Sequence, residues 1–552
     1  MMKKKIIKYW IFALSIGLFL PRAWGQNDFE VAKNTDIFVS ILRELNSKYA
    51  DEINVTDLTK TAIDAMLVSL DPYTVYYPES QIEDYRIMTL GQYGGIGSII
   101  QQIGKEVVIA EPYENSPAAK AGLFPGDIIR KIDNQSVEGK NSEEVTTLLK
   151  GQPGTTLTIE VEHPYRGKRV LHITREEIKL PNIPYYGMLD SKIGYIKLEQ
   201  FTENAGNEVK NAFQKLKEQG MDALVLDLRD NGGGLLQEAV NIMNIFVEQN
   251  TLIASTKGKI KAQNNTFKTR VPVLDKNIPV VVLVNSHSAS ASEIVSGSFQ
   301  DLDRGVVVGK KTFGKGLVQN VVPISYNTSL KLTVSKYYIP SGRCVQHIDY
   351  FGKDSLHAKE IPDSLAVAYK TRKGRTVYDK GGVSPDVVTP DTMPSRLLIS
   401  LIMNNLIFDF ANRYHAQHPT LSVVPNKFAI DEPLYKEFVE YMNSKSYEYE
   451  TDTELLLDDL KNAAEDEHYF ETIKPLYEQI KTKIAEEKKQ ELKKYKQEIS
   501  TFLASEIVER YAFQKGRIIN LLPSDPDIVV AKSILHDLSR YHAILSPKTK
   551  KN

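Results

Sequence analysis

Apolar runs and helix-like spacings alternate through the middle of the chain. Val280–Val284 is five consecutive apolar residues, as expected of a strand buried on both faces. It stops at Asn285, and small residues follow from Ser288 to Ser292. Glu293, Ile294, Val295, Phe299 and Leu302 then recur at helical spacing. Further strands are predicted at 98–100, 107–110, 151–161, 192–201, 223–228, 305–309 and 328–338. Helices are predicted at 141–149, capped by Asn141, at 207–219, ended by Gly220, and from Leu235 onward. Strands alternating with helices predict an α/β core. Residues 36–77 read as helical, with one stripe at Ile37, Ile41, Leu42 and Leu45 and another at Leu58, Ala62, Ala65, Met66 and Leu70, broken at Asp71-Pro72-Tyr73. Beyond about Thr392 the chain reads as helical. Ile480, Ile484, Tyr495, Ile499, Phe502 and Ile507 mark one long amphipathic helix whose many Lys and Glu form a solvated face. A partner-docking or dimer helix is the alternative.

The 552 residues suffice for about three or four domains. With 69 Lys and Arg against 70 Asp and Glu, no basic field argues for nucleic acid. The single cysteine, Cys344, excludes an intrachain disulfide framework and a cysteine-rich metal site. The ten histidines contain no HExxH spacing. No metal or cofactor is expected. Lys3, Lys4 and Lys5 precede an apolar stretch at 10–20, and Ala23-Trp24-Gly25 before Gln26 suits signal-peptide cleavage. The mature protein is therefore expected to be exported and soluble, in a periplasm. An uncleaved membrane anchor is the alternative, and the absence of a nearby cysteine excludes a lipid anchor. The tail 548–552 is expected to be disordered.

A strand that turns sharply into a helix through small residues exposes whatever sits at the turn and leaves backbone N–H groups at the positive end of the helix dipole. A serine hydroxyl there could attack a carbonyl, with those N–H groups holding the oxyanion. It needs a base. Lys315 follows the strand at 305–309, so two adjacent strand ends could present both side chains, provided the lysine pKa is lowered. Gln319, four residues on, shares its face and could hold the amine. Three other readings compete. Residues 309–315 are a near miss to a phosphate-binding loop, but Gly316 stands where Ser or Thr is required and no clear helix start follows. His287 could be the base, oriented by Asp227 or Asp230. Finally, the small residues could simply allow a helix to start in close packing.

Ser288-Ala289-Ser290-Ala291-Ser292-Glu293, with Lys315 and Gln319, resembles the carboxyl-terminal processing, or tail-specific, serine protease family. The resemblance implies a Ser–Lys dyad working through an acyl-enzyme, with Ser290 as nucleophile, Lys315 as base and Gln319 as the orienting residue. His287 stands where many members carry glycine. The stretch Asp227-Leu-Arg-Asp-Asn-Gly-Gly-Gly234 resembles the family's second motif. It implies an oxyanion site formed by the amides of Gly233 and Ala291, the choice among Gly232, Gly233 and Gly234 staying open. Arg229 and Asp230 are read as pins for this loop. Ser341-Gly-Arg-Cys-Val-Gln and Lys380-Gly-Gly-Val-Ser-Pro-Asp386 close the core, with a loop insertion between them.

Residues 88–176 resemble a PDZ domain through Gly94-Gly95-Ile96-Gly97, Ser116-Pro-Ala-Ala-Lys-Ala-Gly-Leu and Pro125-Gly126-Asp127, in that order. Such a domain is implied to take a peptide C-terminus. The amides of Gly95, Ile96 and Gly97 would hold the carboxylate, and the peptide would add a strand. The alternative is that these are the glycines of an ordinary hairpin. Residues 62–73 resemble the family's N-terminal region and imply a homodimer. The expected fold is thus α/β, a crotonase/Clp-protease-like core at 177–391. A signal peptide would occupy 1–25, an N-terminal helical module 26–85, an inserted PDZ domain 86–176 and a helical C-terminal extension 392–552. The expected function is an exported serine endopeptidase that selects protein or peptide substrates by accessible C-termini, a regulatory partner protein being left open. The alternative is a non-catalytic PDZ adaptor.

Overall fold

The computed structural model describes residues 23–81, 89–350, 359–360, 365–379, 381–390, 393–445 and 449–547. The expected leader up to residue 22, Lys380 and the expected disordered tail lie outside them. Two compact units are present, Met1–Tyr76 with Tyr350–His357, and Tyr77–Asp349 with Ala358–Asn552.

In the first unit, helices span Ala23–Lys48 and Val55–Val68. Asn54 caps the second by accepting the amides of Thr56 and Asp57 at 3.0 and 3.3 Å. The helical reading of 36–77, with its break at Asp71-Pro72-Tyr73, is amended at both ends. The first helix starts well upstream, and Val75–Tyr77 is a short strand. Asp71 accounts for the stop, because its carboxylate accepts the Tyr73 and Thr74 amides, both at 2.8 Å, and fixes a turn. Ile37, Ile41, Met66 and Leu70 of the expected stripes are exposed.

The second unit holds three packed regions. The first is a sheet that begins with Ser98–Ile103 at one edge and continues through Glu106–Pro112, Ile128–Ile132, Thr156–His163 and Gly167–Thr174. Helix Ser142–Leu149 lies against it, and its N-cap Asn141 forms a reciprocal box with Glu144. Ile109, Val145 and Ile159 are fully buried between them. Gln92–Gly95 pairs antiparallel with Glu176–Lys179.

The second region is a six-stranded sheet in the order Tyr185–Met188, Ile193–Lys197, Ala223–Asp227, Val280–Val284, Val306–Gly309, Val387–Val388. The first pair is antiparallel and the rest are parallel. Side chains alternate between its faces. Ile196, Leu226, Val282 and Val307 point to one face, packed under helices Ala205–Glu218, Leu236–Phe246 and Ala291–Asp301. Tyr195, Val225, Val281, Leu283, Val306 and Val308 point to the other, covered by Ile528, Ala531, Ile534, Leu535, Tyr541 and Leu545 from helices Pro526–His536 and Leu538–Ile544 and the residue that follows. Each large side chain so buried contributes about 1.5–3 kcal/mol.

The third region is helical. Arg396–Met403, Leu406–Gln417 and Glu432–Asn443 pack on Lys496–Leu521, two helical stretches joined by a kink at Ala512 and Phe513. The single long amphipathic helix expected at 480–507 is corrected here to Phe470–Lys488, Glu491–Lys494 and Lys496–Leu521. The breaks follow from the use of different faces. Phe470–Lys488 is mostly exposed and packs on Asp452–Asp466. By contrast, Ile499, Leu503, Ile507, Glu509 and Arg510 are buried, so this part is no solvated face.

Candidate active site

Strands Ala223–Asp227, Val280–Val284 and Val306–Gly309 are adjacent and parallel, so their C-terminal ends open on one side of the sheet. The loops leaving these ends carry Gly233, Ser290 and Lys315. Ligands of parallel sheets sit at this edge.

Ser290 immediately precedes helix Ala291–Asp301 and has φ 56° and ψ −113°, a region that side chains resist. Tertiary bonds hold it there. Its amide donates to Glu293 Oε2 at 2.9 Å, and its carbonyl accepts the Tyr337 hydroxyl at 3.1 Å. The neighbouring serines are spent. Ser288 Oγ donates to the Leu228 carbonyl at 2.8 Å, and Ser292 Oγ to that of Asn231 at 2.9 Å. Ser290 itself is half-buried.

Glu293 joins this turn to the lysine loop. Its fully buried carboxylate accepts the amides of Gly314 and Lys315, both at 2.8 Å, and the Thr312 hydroxyl at 2.6 Å. One oxygen thus holds the backbone nitrogens of both Ser290 and Lys315. Burial pushes the Glu293 pKa up, opposed by these donors. The sequence reading passed over Glu293 as chemistry. Its signal was the spacing Ser290-x-x-Glu293, that of a capping box.

Residues 311–316 form a loop that leads into strand Leu317–Pro323, not a helix. The phosphate-loop reading fails for that reason, since it needs a helix N-terminus. Gln319 lies on this strand and donates to Thr333 Oγ1 at 3.2 Å. A register irregularity between Val318 and Gln319 interrupts the alternation from which a shared face with Lys315 was expected.

The glycine loop lies against the Ser290 turn. A Cβ on Gly233, whose φ is 99°, would sit 2.7 Å from the Ala289 carbonyl oxygen and from Ser290 Cβ. Only glycine fits there. The Gly233 amide itself is already committed, because it donates to Asn231 Oδ1 at 2.8 Å. The expectation of a free Gly233 donor is corrected on that ground. Ala291, the first helical residue, has no intrahelical partner for its amide, which lies at the positive end of the helix dipole. Asn231 is a second residue the sequence reading missed. Its carbonyl also accepts the Ala289 amide at 3.0 Å, and its side-chain amide donates to the Leu198 carbonyl at 2.8 Å.

His287 Nδ1 lies 3.0 Å from Asp230 Oδ1, with side chains 73% and 67% exposed. Asp227 is buried and bonded to Arg229 and Tyr195. Burial acts to raise its pKa, but Arg229 and Lys197 hold it well below the ordinary range. Its carboxylate is occupied by this network, so Asp230, not Asp227, faces His287.

The expected carboxylate loop lies at the sheet of the first region. Gly95 ends a strand, pairing with Glu176, and Ile96 and Gly97 lead into the edge strand Ser98–Ile103. Ile96 is buried, and Gly97 has φ 75°, with Ser116 Cβ only 2.5 Å from where its own Cβ would stand.

Comparison with known proteins matches residues 192–352 to peptidase family S41, residues 108–163 to the PDZ domain and residues 397–535 to the "Probable PDZ-protease, C-terminal helical domain". A carboxy-terminal-processing protease of Bartonella bacilliformis is 33% identical over 328 residues, 58% of this chain and 75% of that protein. A probable CtpA-like serine protease of Staphylococcus aureus is 34% identical over 327 residues, 58% of this chain and 64% of that protein, just under two thirds of its length. Among solved structures, the photosystem II D1 C-terminal processing protease is 29% identical, with a TM-score of 0.35 over 65% of this chain and 88% of that one. The α/β core with its PDZ domain and C-terminal helical domain, and the identity shared with these relatives, place the chain in peptidase family S41, among the carboxy-terminal-processing serine proteases.

Proposed function

We propose that this chain is a serine endopeptidase in which Ser290 attacks the scissile carbonyl, Lys315 takes its proton and the PDZ domain captures the substrate's C-terminus. The observation that carries this reading is the Glu293 carboxylate, which holds the turn of Ser290 and the loop of Lys315 together. The strained backbone of Ser290 at a helix N-terminus supports it as well.

The neutral lysine amine accepts the hydroxyl proton as Oγ bonds to the carbonyl carbon. The Ala291 amide steadies the oxyanion, and Gly233 lets the loop close beside it. Collapse of the tetrahedral state breaks the C–N bond, and the lysine ammonium returns its proton to the leaving amine. Water then hydrolyses the acyl-enzyme by the same two steps in reverse order. An oxyanion donor of this kind contributes on the order of 3 kcal/mol. Gln319 and Thr333 brace the lysine side of the site. At the PDZ domain the edge strand Ser98–Ile103 lies beside helix Ser142–Leu149, an arrangement suited to an added peptide strand with its carboxylate at Gly95, Ile96 and Gly97. We extend the reading to an exported protein on the basic and apolar pattern of the N-terminal residues, and to a homodimer on the resemblance at 62–73.

The test compares wild type, Ser290→Ala and Lys315→Ala on an unstructured protein with an apolar C-terminus. Both variants lose turnover while still binding the tail peptide, and His287→Ala retains it. Equal turnover in wild type and Ser290→Ala would leave only the adaptor reading.

A further inference from the structure

The glycine loop is held from a distant part of the chain. Arg229, two residues before Asn231, is 16% exposed and bonds three carboxylates. Its guanidinium reaches Asp227 at 2.7 Å, Asp525 at 2.8 Å and Asp527 at 2.9 Å. Its carbonyl accepts Lys197 Nζ at 2.6 Å, and its amide donates to Asp227 Oδ1 at 3.0 Å. Asp525 and Asp527 are 19% and 16% exposed and sit at the start of helix Pro526–His536. That helix covers the sheet face opposite the one packed under Ala291–Asp301. Tyr541, in the next helix, fastens the same segment by accepting the Val280 amide at 3.1 Å.

From Arg229 the chain runs directly into Asn231. The Asn231 carbonyl accepts Ala289 N and Ser292 Oγ, on either side of Ser290, and its side chain holds the Gly233 amide. The path from the C-terminal aspartates to the Ser290 turn therefore consists of ion pairs at Arg229, two backbone steps through Asp230, and hydrogen bonds at Asn231. Such a path transmits a displacement better than a solvated one does.

We propose that Asp525 and Asp527 act through Arg229 as positioning residues, making the C-terminal segment part of the peptidase by fixing the Asn231–Gly233 turn against Ser290. The inference rests on the reading of Ser290 as nucleophile and adds a role for the C-terminal helices.

The test is Asp525→Asn with Asp527→Asn in the full chain. Asparagine retains the shape and still caps helix Pro526–His536, so the apolar cover of the sheet stays in place. Three readouts are taken: kcat and KM on a tailed peptide, the rate of covalent labelling by a fluorophosphonate, and the thermal midpoint. The expected result is a kcat about tenfold lower with KM unchanged and a parallel fall in labelling rate. Asp527→Glu, which keeps the charge, should stay close to wild type. A double variant with wild-type kcat and labelling rate overturns the proposal. So does a loss that disappears on cooling in step with the thermal midpoint, or a change confined to KM. Ser290→Ala separates the two claims. If it labels as wild type does, the nucleophile assignment fails first, and the clamp fails with it.

Discussion

Replacing Glu293 by glutamine tests the physical centre of the site. The native carboxylate accepts four donors, Thr312 Oγ1 and the Gly314 amide on one oxygen, and the Ser290 and Lys315 amides on the other. Glutamine has nearly the same shape but only one acceptor atom. Whichever way its amide turns, one pair of donors then faces an NH2 group. Bonds to a charged group are worth about 1.5–3 kcal/mol each, so losing two costs about 3–6 kcal/mol. Part of that is recovered, since the buried charge is itself unfavourable, as its raised pKa indicates. The net destabilisation should be about 2–3 kcal/mol, read as a lower urea midpoint at unchanged slope. Activity should suffer more than stability. With the carbonyl turned toward Thr312 and Gly314, the Ser290 turn and the Lys315 loop lose their common anchor, and a shift of about 1 Å between reacting groups costs about a hundredfold in kcat. A Glu293→Gln protein within about 0.5 kcal/mol of wild type, with kcat within about twofold, would refute the reasoning, because that change would then be an ordinary one.

Two further outcomes follow from groups other than Ser290 and Lys315. His415 is buried against Arg166, whose guanidinium donates to its Nδ1 at 3.1 Å. Burial, then Arg166 and Arg510, lower its pKa to about 4. The unfolded chain therefore binds a proton below pH of about 6.5 that the folded chain refuses. This group's stabilisation is full above that pH and is lost as the pH falls toward 4, a change on the order of 2 kcal/mol. Denaturation at pH 7 and pH 4.5 should show a smaller acid loss in His415→Gln than in wild type, and equal losses would contradict the assignment. Gly97→Ala places a Cβ 2.5 Å from Ser116 Cβ at a φ of 75°, so it should raise KM for tailed substrates severalfold and leave kcat on an untailed peptide unchanged. An unaltered KM would remove Gly97 from tail capture.

Much of the architecture was legible because it is local. Five apolar residues at Val280–Val284 could be satisfied only by a strand covered on both faces. Asn141 as a cap and Gly220 as a stop marked helix ends through residue type and position alone. The position of Ser290 at a strand-to-helix turn was legible for the same reason. Gly233 was legible as a close approach but not as a spent donor, because Asn231 claims its amide through a side-chain rotamer that no spacing reveals. The helix at 480–507 was misjudged because its stripe residues serve two different neighbours, and periodicity cannot distinguish one continuous face from two.

The sequence by itself determined which residues must be buried, where strands end in small or glycine-rich turns, and which side chains near those turns can do chemistry. All of these depend on neighbours within a few residues. Only the tertiary structure decided what covers the second face of the sheet, which carboxylate ties Ser290 to Lys315, and how Asp525 and Asp527 come to hold Arg229. The physical reason is that burial and ion pairing are indifferent to separation along the chain. Arg229 and Asp525 are brought together only by the apolar docking of helix Pro526–His536 on Val225, Val281 and Val308, and residue types alone do not name that partner in advance.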